Sequence, residues 1–136
     1  MIQQGATTIF KLNLLNGVEN FTTDTYKIAL YTALADLGPT TTVYTTTGEI
    51  AGTGYVAGGK TLTNVVPAAN DGVAFISFLN VTWDPASFTA RGALIYNGTT
   101  SAAVAVLDFG SDKTASNTFT VTFPTATATS AIIRIN

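Results

Sequence analysis

The sequence predicts an all-β protein: an antiparallel β-sandwich of jelly-roll or immunoglobulin-like type, with a short helix near the start. Three observations carry this expectation. Threonine makes up about one residue in five of the 136, and β-branched side chains suit a pleated, half-buried surface. Apolar residues alternate over several short runs. Turn-forming residues then separate those runs at short intervals, as in sandwiches and barrels.

Taken in order, residues 1–8 (MIQQGATT) are expected to form an N-terminal arm of a single domain spanning 1–136, because chain termini are free to reach out. In TTIFKLNLLNG, Ile9, Leu12 and Leu15 share one helical face. Thr7 or Thr8 is placed to cap that helix and Asn16–Gly17 to end it. The alternation of Phe10, Leu12 and Leu14 leaves a strand over residues 9–16 as the second reading, and the helix is preferred. In TDTYKIALYTA, Tyr26, Ile28 and Leu30 fall on one face of a strand, and Lys27, Ala29 and Tyr31 on the other. The Thr/Gly-rich segment from Ala35 to Gly54 lacks periodicity and reads as a long loop with a short strand or turn. Further strands are predicted in KTLTNVV (60–66), VAFISFLNVTW (73–83), RGALIYNG (91–98), AAVAVLDFG (102–110), TFTVTF (118–123) and AIIRI (131–135). Turn signals stand at Gly38–Pro39, Asn70–Asp71–Gly72, Asp84–Pro85, Asn97–Gly98 and Gly110–Ser111–Asp112, with Asn97–Gly98 read as a hairpin turn.

Composition narrows the chemistry. The chain has no cysteine and no histidine, so disulfides, thiolate metal sites and the usual hydrolytic triads are excluded. Charged residues are 10% of the chain, against an ordinary share of roughly 25%. The net charge of −2 and a pI near 4.7 lack the basic footprint of a nucleic-acid binder. Mean hydropathy is +0.34, yet no apolar run approaches the roughly 20 residues of a membrane-spanning helix. No basic start followed by an apolar run opens the chain, so a secretory leader is not expected. The sequons at Asn20, Asn80 and Asn97 would matter only in a secreted eukaryotic chain.

One motif points the other way. GYVAGGKT (54–61) fits the phosphate-loop pattern G-x-x-x-x-G-K-[ST], and GTGYVA (52–57) fits a loose dinucleotide fingerprint. Both motifs need a buried strand before them and a helix N-terminus after them, whose N–H groups cradle phosphate. Here LTNVVP follows and TTTGEIAGT precedes, which is strand and loop. Gly52, Gly54, Gly58 and Gly59 are therefore read as conformational, supplying turns or close backbone approach. Asp24, Asp36, Asp71, Asp84 and Asp112 sit at turns or strand edges, where Asp bonds local backbone. Asp108 ends an apolar run and is expected to pair with Arg91 or bond a turn. No carboxylates cluster at the spacing of a calcium cage. Trp83 and Phe88 are read as core residues, not as a binding platform. No residue is nominated as catalytic, cofactor-binding or metal-binding.

Four blocks of the sequence, FTTDTYKIALYTA (21–33), AGTGYVAGGKTLTNV (51–65), VTWDPASFTARGALIYNGTT (81–100) and VAVLDFGSDKTASNTFTVTF (104–123), together resemble a family of small tailed-bacteriophage virion structural proteins. In that family the glycine-rich block is a structural signature. The resemblance implies a non-enzymatic component of the virion, assembled in the host cytoplasm. Its preferred role is a capsid decoration (cement) protein on the outer surface of the major capsid protein. Implied partners are that shell protein and copies of the chain itself, with no cofactor, nucleic acid, membrane or small-molecule substrate. The threefold positions of capsid lattices suggest a trimer, and a hexamer or monomer is equally compatible with the residues. A tail, baseplate or fibre-associated virion protein is the alternative, and a free sugar- or nucleotide-binding module a distant one.

Overall fold

In the computed structural model, which describes all 136 residues, ten strands and one helix follow in sequence. They are β1 (Gly5–Ala6), α1 (Thr8–Leu15), β2 (Tyr26–Tyr31), β3 (Lys60–Thr61), β4 (Ala68–Asn70) and β5 (Val73–Ile76). Then come β6 (Val81–Trp83), β7 (Phe88–Asn97), β8 (Ala103–Ala115), β9 (Phe119–Val121) and β10 (Ile133–Ile135). The strands form a five-stranded sheet ordered β1-β8-β7-β2-β3, a three-stranded sheet β10-β5-β4 and a two-stranded sheet β6-β9. Every strand pairing is antiparallel, and the architecture is the all-β, sandwich-like one that the sequence predicts.

The alternation in β2 explains how the large sheet is buried on both faces. Tyr26, Ile28 and Leu30 belong to the larger core, with Ile95 of β7 and with Trp83, Phe119 and Val121 of the two-stranded sheet. Ala29 and Tyr31 join a second core on the opposite face with Leu94, Tyr96, Ala103 and Val106, covered by Ile2, Ala35 and Leu37. A two-residue side-chain period makes this partition possible. The long 35–54 segment is a loop tied down by single bridges, Val43 to Ala102, Glu49 to Tyr31 and Thr53 to Ser87, and its first residues close the second core.

The helix forms where it is expected but turns a different face inward: Phe10 is buried with Leu14 packed beside it, while Leu12 and Leu15 of the expected face are exposed. Thr7 is its N-cap, accepting the Phe10 N–H at 3.2 Å through Oγ1, and Asn16 is its C-cap. The cap is fixed from outside as well: Thr7 Oγ1 donates to the Ala103 carbonyl at 2.9 Å. Residues 1–8, read from sequence as an arm, lie here on the chain's own sheet. Ile2 bridges Leu37, Gly5 and Ala6 pair with Val106 and Ala105 of β8, and Thr7 is fully buried.

Several boundaries differ from the sequence reading, each for a tertiary reason. The run 73–83 breaks into β5 and β6 because residues 77–80 turn to other partners. Ser77 Oγ donates to the Pro124 carbonyl, Leu79 N–H to the Thr63 carbonyl, and Asn80 Oδ1 accepts the Phe123 N–H. The run 60–66 is a strand only at Lys60–Thr61 before it shifts toward residues 77–79. β8 passes through the turn signal at 110–112 and continues to Ala115, absorbing Phe109–Asp112 as extra residues opposite Arg91. Asn70–Asp71–Gly72 is a tight hairpin turn joining β4 to β5, with positive φ at both Asp71 and Gly72, as type I′ geometry requires. The β7–β8 connection is longer than an Asn-Gly two-residue turn. Asn97 N–H donates to the Ala102 carbonyl, and the residue with positive φ is Ser101.

Candidate functional site

The glycine-rich stretch is built as a clasp between the long loop and the sheet, with Glu49 at its centre. Glu49 follows the Thr46–Gly48 turn and is held by Tyr31 of β2, its bridge partner. Its Oε1 accepts the Gly58 N–H at 2.8 Å and the Tyr55 hydroxyl at 2.6 Å. Its Oε2 accepts the Tyr44 hydroxyl at 2.6 Å. Tyr96 of β7 donates to the Gly58 carbonyl at 2.6 Å and stacks on Tyr44 at 4.7 Å. The Tyr55 oxygen in turn accepts the Leu30 N–H of β2 at 2.9 Å. Charge-assisted hydrogen bonds such as those to Glu49 are short and strong. They join residues 44–49 to 55–58, and the neutral bonds of Tyr96 and Leu30 tie that pair to β7 and β2.

This arrangement decides the phosphate-loop question. The N–H of Gly58, which a phosphate would have to use, is occupied by the chain's own carboxylate. Lys60, the lysine of the motif, donates to the Thr82 carbonyl at 2.5 Å and lies 5.7 Å from the Trp83 ring centroid. The last two residues of the motif, Lys60–Thr61, are themselves strand β3 and the next element is strand β4, so no helix N-terminus faces the loop. The glycines are needed for close approach, as the sequence suggests. Gly59 has φ +74, and a Cβ there would overlap the Ile28 carbonyl oxygen of β2. At Gly54, φ +87, it would overlap the Pro85 carbonyl oxygen.

Electrostatics agree with a structural role. Burial, reinforced by the hydrogen bond to Glu49, raises the pKa of Tyr44 and Tyr55 well above the ordinary phenol value of 10.0. Both phenols therefore stay protonated at neutral pH and remain hydrogen-bond donors. A second polar centre repeats the design. Asn97 is fully buried; its Nδ2 donates to Glu19 Oε2 and to Asp24 Oδ2, each at 3.0 Å. Tyr26 donates to the same Glu19 oxygen at 2.6 Å, and burial first, then Glu19, raises its pKa. The two carboxylates face an amide that donates to them. No group of three or more acidic side chains is gathered as a metal cage would require.

Arg91 Nε and Asp108 Oδ1 pair at 3.3 Å across β7 and β8, as expected. Asp108 also accepts the Gly110 N–H at 2.9 Å, and that bond first, then Arg91, lowers its pKa. Trp83 is 1% exposed and packs against Tyr55, Phe88 and Phe119, which makes it core. Asp71 occupies its turn. Asp36 is exposed and meets the N-terminal amine at 3.5 Å, and Asp24 bonds the Asn20 N–H at 3.0 Å. The roles of Glu49 and Glu19 are not visible in the sequence. Both lie in polar, aperiodic segments; Glu49 gathers Tyr44, Tyr55 and Gly58 from neighbouring loop residues, and Glu19 meets Asn97 from the far end of β7.

The fold and this centre define a class: an all-β, sandwich-like domain whose glycine-rich loop is a polar clasp between loop and sheet. Compared with protein-family models, curated proteins and solved structures, the chain finds no match in any of the three.

Proposed function

We propose that this chain is a non-enzymatic structural protein of a tailed-bacteriophage particle, a capsid decoration protein bound to the outer surface of the major shell protein. The observation that carries the reading is the consecutive resemblance of four sequence blocks to small phage virion proteins, with GTGYVAGGK (52–60) among them. The way that block is used supports it: its N–H, its glycines and its lysine are all spent on internal contacts. Low charge and exposed threonine pairs such as Thr82–Thr120 and Thr89–Thr114 suit a surface packed closely in a repeating lattice. Neutral hydroxyls cost less to desolvate than charges. In a symmetric shell each modest contact is repeated many times.

The test is a count of this chain against the major shell protein in purified particles, by quantitative mass spectrometry. A ratio near one, or a simple lattice fraction of it, is the expected result. A few to a few dozen copies per particle would move the chain to the tail or a vertex, and absence from the particle would overturn the reading.

A further inference from the structure

We propose that the outer edge of β9 is a strand-addition site for an extended segment of another protein that carries an acidic side chain. β9 is paired on one side only, by β6. The Thr82 carbonyl turns away from β9 to accept Lys60 Nζ, and the Thr82 and Thr120 hydroxyls meet at 2.9 Å. Those two features mark Thr82–Thr120 as a pair whose backbone groups point outward, since side chains approach most closely in such pairs. Thr122, two residues on, shares that direction, and its backbone makes no hydrogen bond within the fold. The intervening direction is used: Phe123 N–H returns to Asn80 Oδ1 on the β6 side.

The edge groups of Thr120 and Thr122 open into a cavity of about 530 Å³ whose apolar wall includes Leu107, Phe109, Phe119 and Ile132. Backbone groups that pair with an added strand and apolar pockets for its alternate side chains are the two parts of strand-addition recognition. A segment of about three residues, roughly 10 Å long, engages both threonines. Charge selects the occupant. Asp108 lines the cavity, but its charge is offset by Arg91, which shares Oδ1 with the Gly110 N–H. Lys113 lines it as well and makes no ion pair, so the unmatched charge is positive and complements a carboxylate. A second copy pairing β9 with β9 would instead bring two Lys113 side chains together. The site does not depend on which particle the chain belongs to.

The probe is a short blocked peptide alternating valine and threonine with one central glutamate, compared with its lysine counterpart, in amide NMR titrations of the full chain. We expect shifts and slowed exchange at Thr120 and Thr122, with the glutamate peptide binding about fivefold more tightly, the factor for roughly 1 kcal/mol of a partly exposed ion pair. Lys113→Glu reverses that order. Thr122→Pro removes an N–H the fold does not use, so it abolishes binding at unchanged Tm. No binding, shifts confined elsewhere, indifference to peptide charge, or wild-type binding by Thr122→Pro would each overturn the proposal. Concentration-dependent slowing of the same amides without peptide would assign the edge to a second copy and overturn the stated occupant.

Discussion

Glu49 Oε1 accepts the backbone N–H of Gly58 at 2.8 Å, so a carboxylate of the chain itself sits where a phosphate-loop reading would place a ligand. That bond closes a circuit from the long loop through Tyr55 to Leu30 of β2. It predicts an order of damage. Glu49→Ala leaves two phenols and one N–H without their acceptor, and should cost about 2–4 kcal/mol. Glu49→Gln keeps an acceptor and should cost less. Tyr55→Phe should cost more than Tyr44→Phe, because it also strands the Leu30 N–H. Denaturant titrations of the four variants read these differences directly.

Gly59→Ala should be among the most damaging single changes in the chain. The new methyl meets the Ile28 carbonyl on a central strand, at a φ that side chains rarely adopt. We expect a loss above about 4 kcal/mol, seen as insoluble expression or a collapsed melting transition. ATP with magnesium should leave the wild-type Tm unchanged, whereas a ligand at 100 times its Kd would add ~2.7 kcal/mol.

Trp83 carries an unusual feature for a core residue: its Nε1 is buried without a hydrogen-bond partner. Trp83→Ala should cost about 3–5 kcal/mol through the cavity it leaves. Trp83→Phe also removes an unsatisfied N–H, which offsets part of the lost packing. Its measured cost should therefore fall well below that of Trp83→Ala.

At the acid limb, Asp108 has a folded-state pKa below the ordinary 3.8. Its contribution is present above that ordinary value and is lost as pH falls through the folded pKa. Stability measured from pH 6 downward should decline less steeply in Asp108→Asn than in the wild type, and only below about pH 4. An unchanged acid slope would remove this role.

All five tyrosines, Tyr26, Tyr31, Tyr44, Tyr55 and Tyr96, have raised pKa values, with burial the leading cause in each. A raised folded value means stability is intact below the unfolded value of 10.0 and erodes as pH climbs above it. Phenolate absorbance should therefore appear together with unfolding above pH 10, as one cooperative step. Independent phenol titrations in a folded chain would contradict the burial seen here.

Much of the fold was legible because it rests on local physics. The period-2 alternation of Tyr26, Ile28 and Leu30 against Ala29 and Tyr31 marks both faces of β2, and the two cores divide along it. Thr7 and Asn16 mark the ends of α1, and the Asn-Asp-Gly run marks the β4–β5 turn. The burial of Trp83 and the Arg91–Asp108 pair also follow from residue type and strand position. That the GYVAGGKT loop is structural was decided by its flanking residues, since a phosphate loop needs a helix and no helix signal follows.

Tertiary structure alone decided the rest. Where VAFISFLNVTW breaks depends on Ser77, Leu79 and Asn80 finding partners at residues 63 and 123–124. Whether residues 1–8 reach out or lie down depends on the free edge of β8, which Gly5 and Ala6 fill. The central role of Glu49 depends on Tyr44, Tyr55 and Gly58 meeting around it, and that of Asn97 on Glu19 and Asp24, more than 70 residues earlier. Side-chain period and turn chemistry are written in neighbouring residues, so a single sequence displays them. Hydrogen-bond partners across the sheet are chosen only when the chain closes, so they are read from the folded molecule.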